Sequence, residues 1–247
     1  PSADDDLADK PASHRHWRDD PGLAIPGHAR VADGAYYDQP YYACTAFVDD
    51  EIGRVLAALR EQAPDALVIV TSDHGDMMGA HGLFKKGPAM YEEIVRVPLV
   101  VGRARAGGAD PAGEYTRARL PAGTVDTAVS LLDVTPTLLA YFDVPGPAWL
   151  PGADLLATAA AGAAAAEGSG GTGGSAGHGA AGEEAAADRA VFLEFGRFSP
   201  YNDGRGRFRP IRAIVTARHK LVVNLLDSDE LYDLDADRAE TTNLIGS

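Results

Sequence analysis

Cysteine is nearly missing from this chain. Cys44 is the single one among 247 residues, so no disulfide framework can staple the fold from within. One free cysteine fits a reducing compartment without fixing a location. There is also no uninterrupted apolar run of about eighteen residues, the length that a helical membrane span needs. Positive charge is scarce: 22 Lys and Arg stand against 36 Asp and Glu, a formal net charge of −14. That balance argues against nonspecific binding to a nucleic-acid backbone. Residues 157–187 lack core-forming side chains and consist almost entirely of Ala, Gly, Ser, Thr and Glu. Such a stretch reads as a flexible insertion, its Ala-rich parts only transiently helical, with His178 a bystander.

Against this background one stretch stands out. Leu67-Val68-Ile69-Val70-Thr71 is a short, apolar, β-branched run that stops at Ser72-Asp73-His74-Gly75. The run predicts a strand covered on both faces. Ligands of open α/β sheets sit beyond the carboxyl ends of such strands. Asp73 offers hard carboxylate oxygens and His74 a ring nitrogen, a pair suited to a divalent cation. Neighbouring residues of an extended strand face opposite ways. Both reach one ion only if the backbone turns there, and Gly75 is read as supplying that freedom. Two ligands do not fill a coordination shell, and no second acidic cluster at a strand end is evident.

The loop that follows, Asp76 to Pro88, holds Gly79, Gly82, Gly87 and Pro88 and excludes a long helix. Between Met77 and Pro88 it has no acidic residue, yet it carries Lys85 and Lys86. A cationic loop in an acidic protein points to an anion site.

Elsewhere the elements are ordinary. Phe47, Val48, Ile52, Val55, Leu56 and Leu59 recur at helical spacing, which predicts a helix over 41–62 packed on a sheet. Cys44 falls within that pattern and reads as a buried thiol. A strand is expected over 67–72, a short helix over 90–95, a strand over 97–101 and a helix over 133–142 with Pro136 in its first turn. Strands at 190–195, 211–216 and 220–225 suggest a small antiparallel sheet. Residues 1–40 read as a surface segment, with Asp4-Asp5-Asp6 a solvated turn and His14, His16 and His28 loop histidines. Arg197, Arg205, Arg207, Arg209 and Arg212, interleaved with aromatics, are read either as a cleft lining for an acidic substrate or as a solvated loop. Glu92 and Glu93 are read as accompaniments of a helix-to-strand connection, pairing with Arg96.

The text Ile69 to Gly75, then Gly79-Ala80-His81-Gly82, Lys86 and Tyr91-Glu92-Glu93-Ile94-Val95-Arg96-Val97-Pro98-Leu99 resembles the sulfatase family of the alkaline-phosphatase superfamily. The segments Ser130 to Leu139, Lys220-Leu221-Val222, Glu230 to Leu234, Glu240 and Asn243-Leu244 resemble it more weakly. The resemblance implies an α/β fold, an alkaline-phosphatase-like sheet flanked by helices with a small C-terminal antiparallel sheet. The expected division is 1–150 catalytic, 151–188 insertion and 189–247 C-terminal subdomain. It implies that Asp73 and His74 bind a divalent cation, calcium first, with manganese or magnesium as alternatives. Lys86, thirteen positions after Asp73, would contact the sulfate, leaving Lys85 a bystander. His81, in a Gly-x-His-Gly pattern, joins Lys86 as a catalytic candidate, with loop bracing as its alternative. The implied partner is a small sulfated substrate, a sugar or aryl sulfate, and neither nucleic acid nor membrane. The family's nucleophile is a formylglycine made within a Cys/Ser-x-Pro-x-Arg motif. Cys44 is followed by Thr45-Ala46-Phe47-Val48, without that Pro or Arg, so the nucleophile segment is expected to lie outside these residues, which would make this the C-terminal part of such an enzyme. Two other functions remain open: a phosphonate or phosphate ester hydrolase of the same superfamily, and an inactive anion-binding module.

Overall fold

The computed structural model of the chain describes residues 2–19, 35–104, 124–125, 127–168, 189–197 and 208–245. The chain divides into two compact units. One comprises Pro1–Gly108, Glu194–Ala213 and Lys220–Ser247; the other comprises Ala109–Leu193 and Ile214–His219.

In the first unit, helix α1 (Ala12–Asp19) and helix α2 (Ala35–Gln62) precede strand β1 (Leu67–Thr71). A single 3-10 turn, Ala80–Gly82, lies in the following loop, and helix α3 (Glu92–Val95) leads to strand β2 (Leu99–Arg103). β1 and β2 pair antiparallel, with Leu67 opposite Arg103 and Thr71 opposite Leu99. β1 is half-buried rather than sealed on both faces. Its all-apolar run therefore overstated the cover found among the described residues. Helix α2 departs from expectation in the same way. Ile52, Leu56 and Leu59, at i, i+4 and i+7, are half-buried, whereas Tyr42, Phe47, Val48 and Val55 are exposed. Cys44 lies on this exposed helix and is not the buried thiol that the pattern suggested. Helical spacing reports an apolar face; it does not report whether a partner surface covers that face.

The core sits directly beneath the loop that follows β1. Leu7, Trp17, Met77, Leu83, Ala89, Tyr91, Ile94 and Tyr232 form one buried cluster. Leu7 and Trp17 bring residues 2–19 into it, so that segment is packed on the core as well as lying at the surface. The carboxylate of Asp227 accepts from Ala12 N at 3.1 Å and Ser13 N at 2.9 Å. It thus caps α1 from a distant part of the chain, filling orphan donors at a helix start. Lys10 donates to Thr241 O at 2.8 Å, and Asp9 Oδ2 accepts from Asn243 N at 2.6 Å. These tethers join residues far apart in sequence, which no local pattern reveals.

Strands β3 (Val191–Arg197), β4 (Phe208–Val215), β5 (His219–Asn224) and β6 (Glu230–Asp233) form a four-stranded sheet in chain order. Thr216 N donates to His219 O and Leu225 N to Pro210 O, which sets β4 antiparallel to β5. The fourth strand, β6, was not anticipated.

In the second unit a 3-10 turn, Leu131–Asp133, runs into helix α4 (Val134–Tyr141). Buried Asp133 accepts from Ser130 N at 2.7 Å, Ala153 N at 2.8 Å and Arg189 Nη2 at 2.6 Å. Thr137 Oγ1 donates to Asp133 O at 2.6 Å and accepts from Leu155 N at 2.8 Å. The stretch Asp133 to Leu138 is therefore a folding device: it ties three segments together. Helix α5 (Leu155–Gly168) begins at Asp154, whose Oδ1 accepts from Leu156 N at 2.9 Å. A continuous helix here corrects the flexible reading of 157–168. Alanine has the highest helix propensity, and an N-cap with Leu155 and Leu156 buried anchors the start. The glycine run beyond it and His178 lie outside the described residues.

Candidate metal and anion site

Where β1 ends, the chain turns within three residues. Ser72 Oγ donates to His74 O at 2.9 Å, and His74 N donates to Asp73 Oδ1 at 3.0 Å. The turn brings both predicted ligands to one place: Asp73 Oδ2 lies 3.4 Å from His74 Nε2. His74 Nδ1 lies 2.9 Å from Gly75 O. The assignment that satisfies this contact puts the proton on Nδ1 and turns the Nε2 lone pair outward. Lys86 Nζ meets that same Nε2. Asp73, His74 and Lys86 thus converge, although twelve residues separate the imidazole from the amine. The Asp73 side chain is 83% exposed. Desolvation pushes its pKa up. The His74 N–H, the imidazole and the Lys86 charge outweigh it and hold the carboxyl below its ordinary range.

Gly75 has a different reason for being glycine than the freedom to turn. A Cβ there would stand 1.9 Å from Glu93 O. Gly75 N donates to Ile94 O at 2.8 Å, so two backbone segments touch at this point. What matters is space rather than a left-handed φ.

Lys86 is delivered by a loop closed on Asp76. Asp76 Oδ1 accepts from Met78 N at 3.0 Å and from Lys85 N at 3.1 Å, and Met77 N donates to Lys85 O at 2.9 Å. Met77 and Leu83 anchor the loop in the core. Gly87 lies flat on Trp17; a Cβ would come within 2.6 Å of the indole. Met78, His81 and Lys85 all hold positive φ without being glycine, at 48°, 54° and 63°. Backbone strain of this kind persists only where the surroundings fix it. Asp76 was not singled out from sequence, because a carboxylate clasp across nine residues has no periodic signature.

His81 is not at this cluster's surface. It is fully buried, its Nδ1 is 2.7 Å from Asp5 Oδ2, and its ring stacks on Tyr91 at 4.0 Å and 14°. On Tyr91's hydroxyl sits His14 Nδ1, at 3.0 Å. Asp5, read from sequence as part of a solvated turn, has a buried side chain. His14 lies in α1 rather than in a loop, and burial pushes its imidazole down to about 3. These four residues brace the site loop from below. His16 is exposed and His28 lies outside the described residues.

The third support comes from the C-terminal sheet. Lys220 is fully buried, its Nζ 2.9 Å from Met90 O, 2.7 Å from Glu92 Oε1 and 2.8 Å from Glu240 Oε1. Glu92 also approaches Arg96 at 3.8 Å, so its expected partner is its weaker one. Of the arginine-rich stretch, Arg212 pairs with Glu194 at 2.7 Å on the surface. Arg205 and Arg207 lie outside the described residues.

The donors fit a divalent cation in part. A carboxylate and an imidazole nitrogen face one point, and the imidazole's other nitrogen is held by a backbone carbonyl, the usual outer support of a ligating histidine. Among the described residues no group of three His, Cys, Asp or Glu is placed to enclose an ion. Asp73 and His74 are two donors, fewer than the coordination shell of a divalent cation needs.

The family description Sulfatase matches residues 4–144. The chain is 41% identical over 244 residues to the uncharacterised sulfatase YidJ of Escherichia coli K12, covering 98% of this chain and 40% of that protein. It is 29% identical over 216 residues to the N-acetylglucosamine-6-O-sulfatase of Bacteroides thetaiotaomicron, covering 85% of this chain and 32% of that one. A crystal structure of a Bacteroides thetaiotaomicron protein assigned as a sulfatase superposes with a TM-score of 0.64 at 23% identity, covering 89% of this chain and 40% of that one. That likeness bears on the fold, which is the α/β, alkaline-phosphatase-like fold expected from the sequence. The chain thus spans about two fifths of the length of the first relatives it matches.

Proposed function

Because the chain belongs to the sulfatase family, we propose that it carries one half of the active site of a sulfuric ester hydrolase, completed by residues outside it. The observation that supports this is the convergence of Asp73, His74 and Lys86 on one exposed point. Asp73 and His74 would hold the cation, with calcium as the first choice. When bound, such a cation supplies Lewis-acid polarisation and a template for the reacting groups. Lys86 places a positive charge where the transferring sulfuryl group or the leaving oxygen carries negative charge, and stabilises it electrostatically. His74 keeps its Nε2 turned to this point because Gly75 O holds Nδ1. His81, enclosed between Asp5 and Tyr91, acts by bracing the loop rather than on substrate. The nucleophile, a formylglycine by family resemblance, would come from outside these residues. The substrate class is a small sulfated organic ester; the name of the glucosamine-sulfatase relative supports a sulfated sugar.

The test is hydrolysis by the full-length protein of an aryl sulfate and a 6-sulfated glucosamine, beside an aryl phosphonate monoester. Preferential turnover of a sulfate ester, lost in Lys86→Ala, is expected. Faster turnover of the phosphonate would replace this reading with the phosphonate hydrolase; no turnover of any ester would leave the anion-binding module.

A further inference from the structure

Between the C-terminal sheet and the candidate ligands lies a short continuous path of contacts. α3 starts without a cap from its own neighbour: Tyr91 makes no capping hydrogen bond. Glu240 Oε2 takes that place from 148 residues away, accepting from Glu92 N at 2.7 Å. Lys220 grips the same segment through Met90 O and Glu92 Oε1. The gripped segment then meets the site directly. Ile94 O accepts from Gly75 N at 2.8 Å, and the Glu93 carbonyl fills the space where a Gly75 side chain would be. Gly75 O, in turn, holds His74 Nδ1 at 2.9 Å. Every link is a hydrogen bond, an ion pair or a close backbone contact, and the end away from the site is fixed: Lys220 and Glu240 are wholly buried.

We propose that Lys220 and Glu240 are positioning residues for His74, clamping residues 90–94 against Gly75 so that the imidazole presents Nε2 beside Asp73 and Lys86. This rests on the reading of His74 as a functional ligand. The clamp acts through the backbone and touches neither substrate nor cation. A direct hydrogen-bond partner of a ligating histidine is worth about 10- to 100-fold in metal affinity or activity, and a clamp acting on that partner through the backbone is expected at the lower end of this range.

Two variants of the full-length protein separate positioning from mere stability. Glu240→Leu deletes the acceptor of Glu92 N. Glu240→Gln keeps an acceptor of the same reach. Ring-nitrogen NMR of histidine-labelled protein reads the His74 tautomer and its Nδ1 hydrogen bond directly. The Leu variant is expected to shift the His74 Nδ1 signal and to lower kcat by about 10-fold or more with KM altered less than about threefold; the Gln variant is expected to restore both. An unchanged His74 signal in the Leu variant, or equal effects of Leu and Gln on it, would overturn the proposal. If the Leu variant does not fold, Lys220→Met with Glu240→Gln removes one charge of each sign and loosens the same segment. There a His74 signal identical to wild type would overturn it equally. The spectrum needs no turnover, so failure of the sulfatase reading and failure of the clamp are told apart.

Discussion

At the scale of residues, the two lysines give the sharpest contrast. Lys86 reaches the His74 imidazole, while the backbone of Lys85, in a left-handed conformation, closes the loop on Asp76. If the proposed function holds, Lys86→Ala in the full-length protein is expected to cost about 10²- to 10³-fold in kcat, the scale of one lost charge-stabilising donor. Lys85→Ala should change kcat little; equal losses measured on a sulfate ester would contradict the assignment. Asp73→Asn is expected to lower bound divalent metal in elemental analysis, and unchanged content would remove Asp73 from the shell. The meeting of Asp73 and His74 was legible because the strand end and its turn are adjacent in the chain, whereas the choice of Lys86 over Lys85 came from the family resemblance alone. The role of Gly75 was not legible, since its neighbour Glu93 arrives from another segment. Asp5 and His14 were hidden for the same reason: each meets its partner, His81 or Tyr91, more than seventy residues away.

At the scale of elements, β1 to β5 were legible to within a few residues at their ends, because period and β-branching are local properties, whereas β6 was missed. Short α3 was legible too, but not what holds it. That is decided by Lys220 and Glu240, whose charges are buried. Burial, outweighing the attraction of Lys220, pushes the Glu240 carboxyl from 4.5 to about 7. An acid with a raised folded pKa favours folding while protonated. Its contribution is complete below the unfolded value and is lost as pH rises from about 4.5 through about 7. Denaturant melts of wild type and Glu240→Gln should therefore diverge across that window, wild type losing up to ~3 kcal/mol relative to the variant. A constant difference would mean that Glu240 does not titrate there. Helix α5 carries a separate lesson. Its alanines were dismissed with the glycines that follow, although the Asp154 cap and the buried Leu155–Leu156 pair were present in the text.

At the scale of the whole molecule, the apolar face of α2 is the feature that sequence periodicity described correctly and misassigned. Phe47 is 66% exposed, Val55 60% and Val48 53%. Exposed apolar patches of more than a few hundred Å² are unusual on monomers. The 247-residue chain expressed alone is expected to bind a hydrophobic dye and to self-associate in sedimentation, and Phe47→Glu with Val55→Lys should reduce both; a monodisperse wild-type monomer without dye binding would contradict this. The proposed function requires one shared point for cation and anion at the end of β1. Titrating Mn²⁺ into histidine- and lysine-labelled full-length protein tests it, by paramagnetic broadening. The His74 and Lys86 signals should broaden together and first, with the effect lost in Asp73→Asn. Broadening that spares His74, or that survives the loss of the Asp73 carboxylate, would refute it.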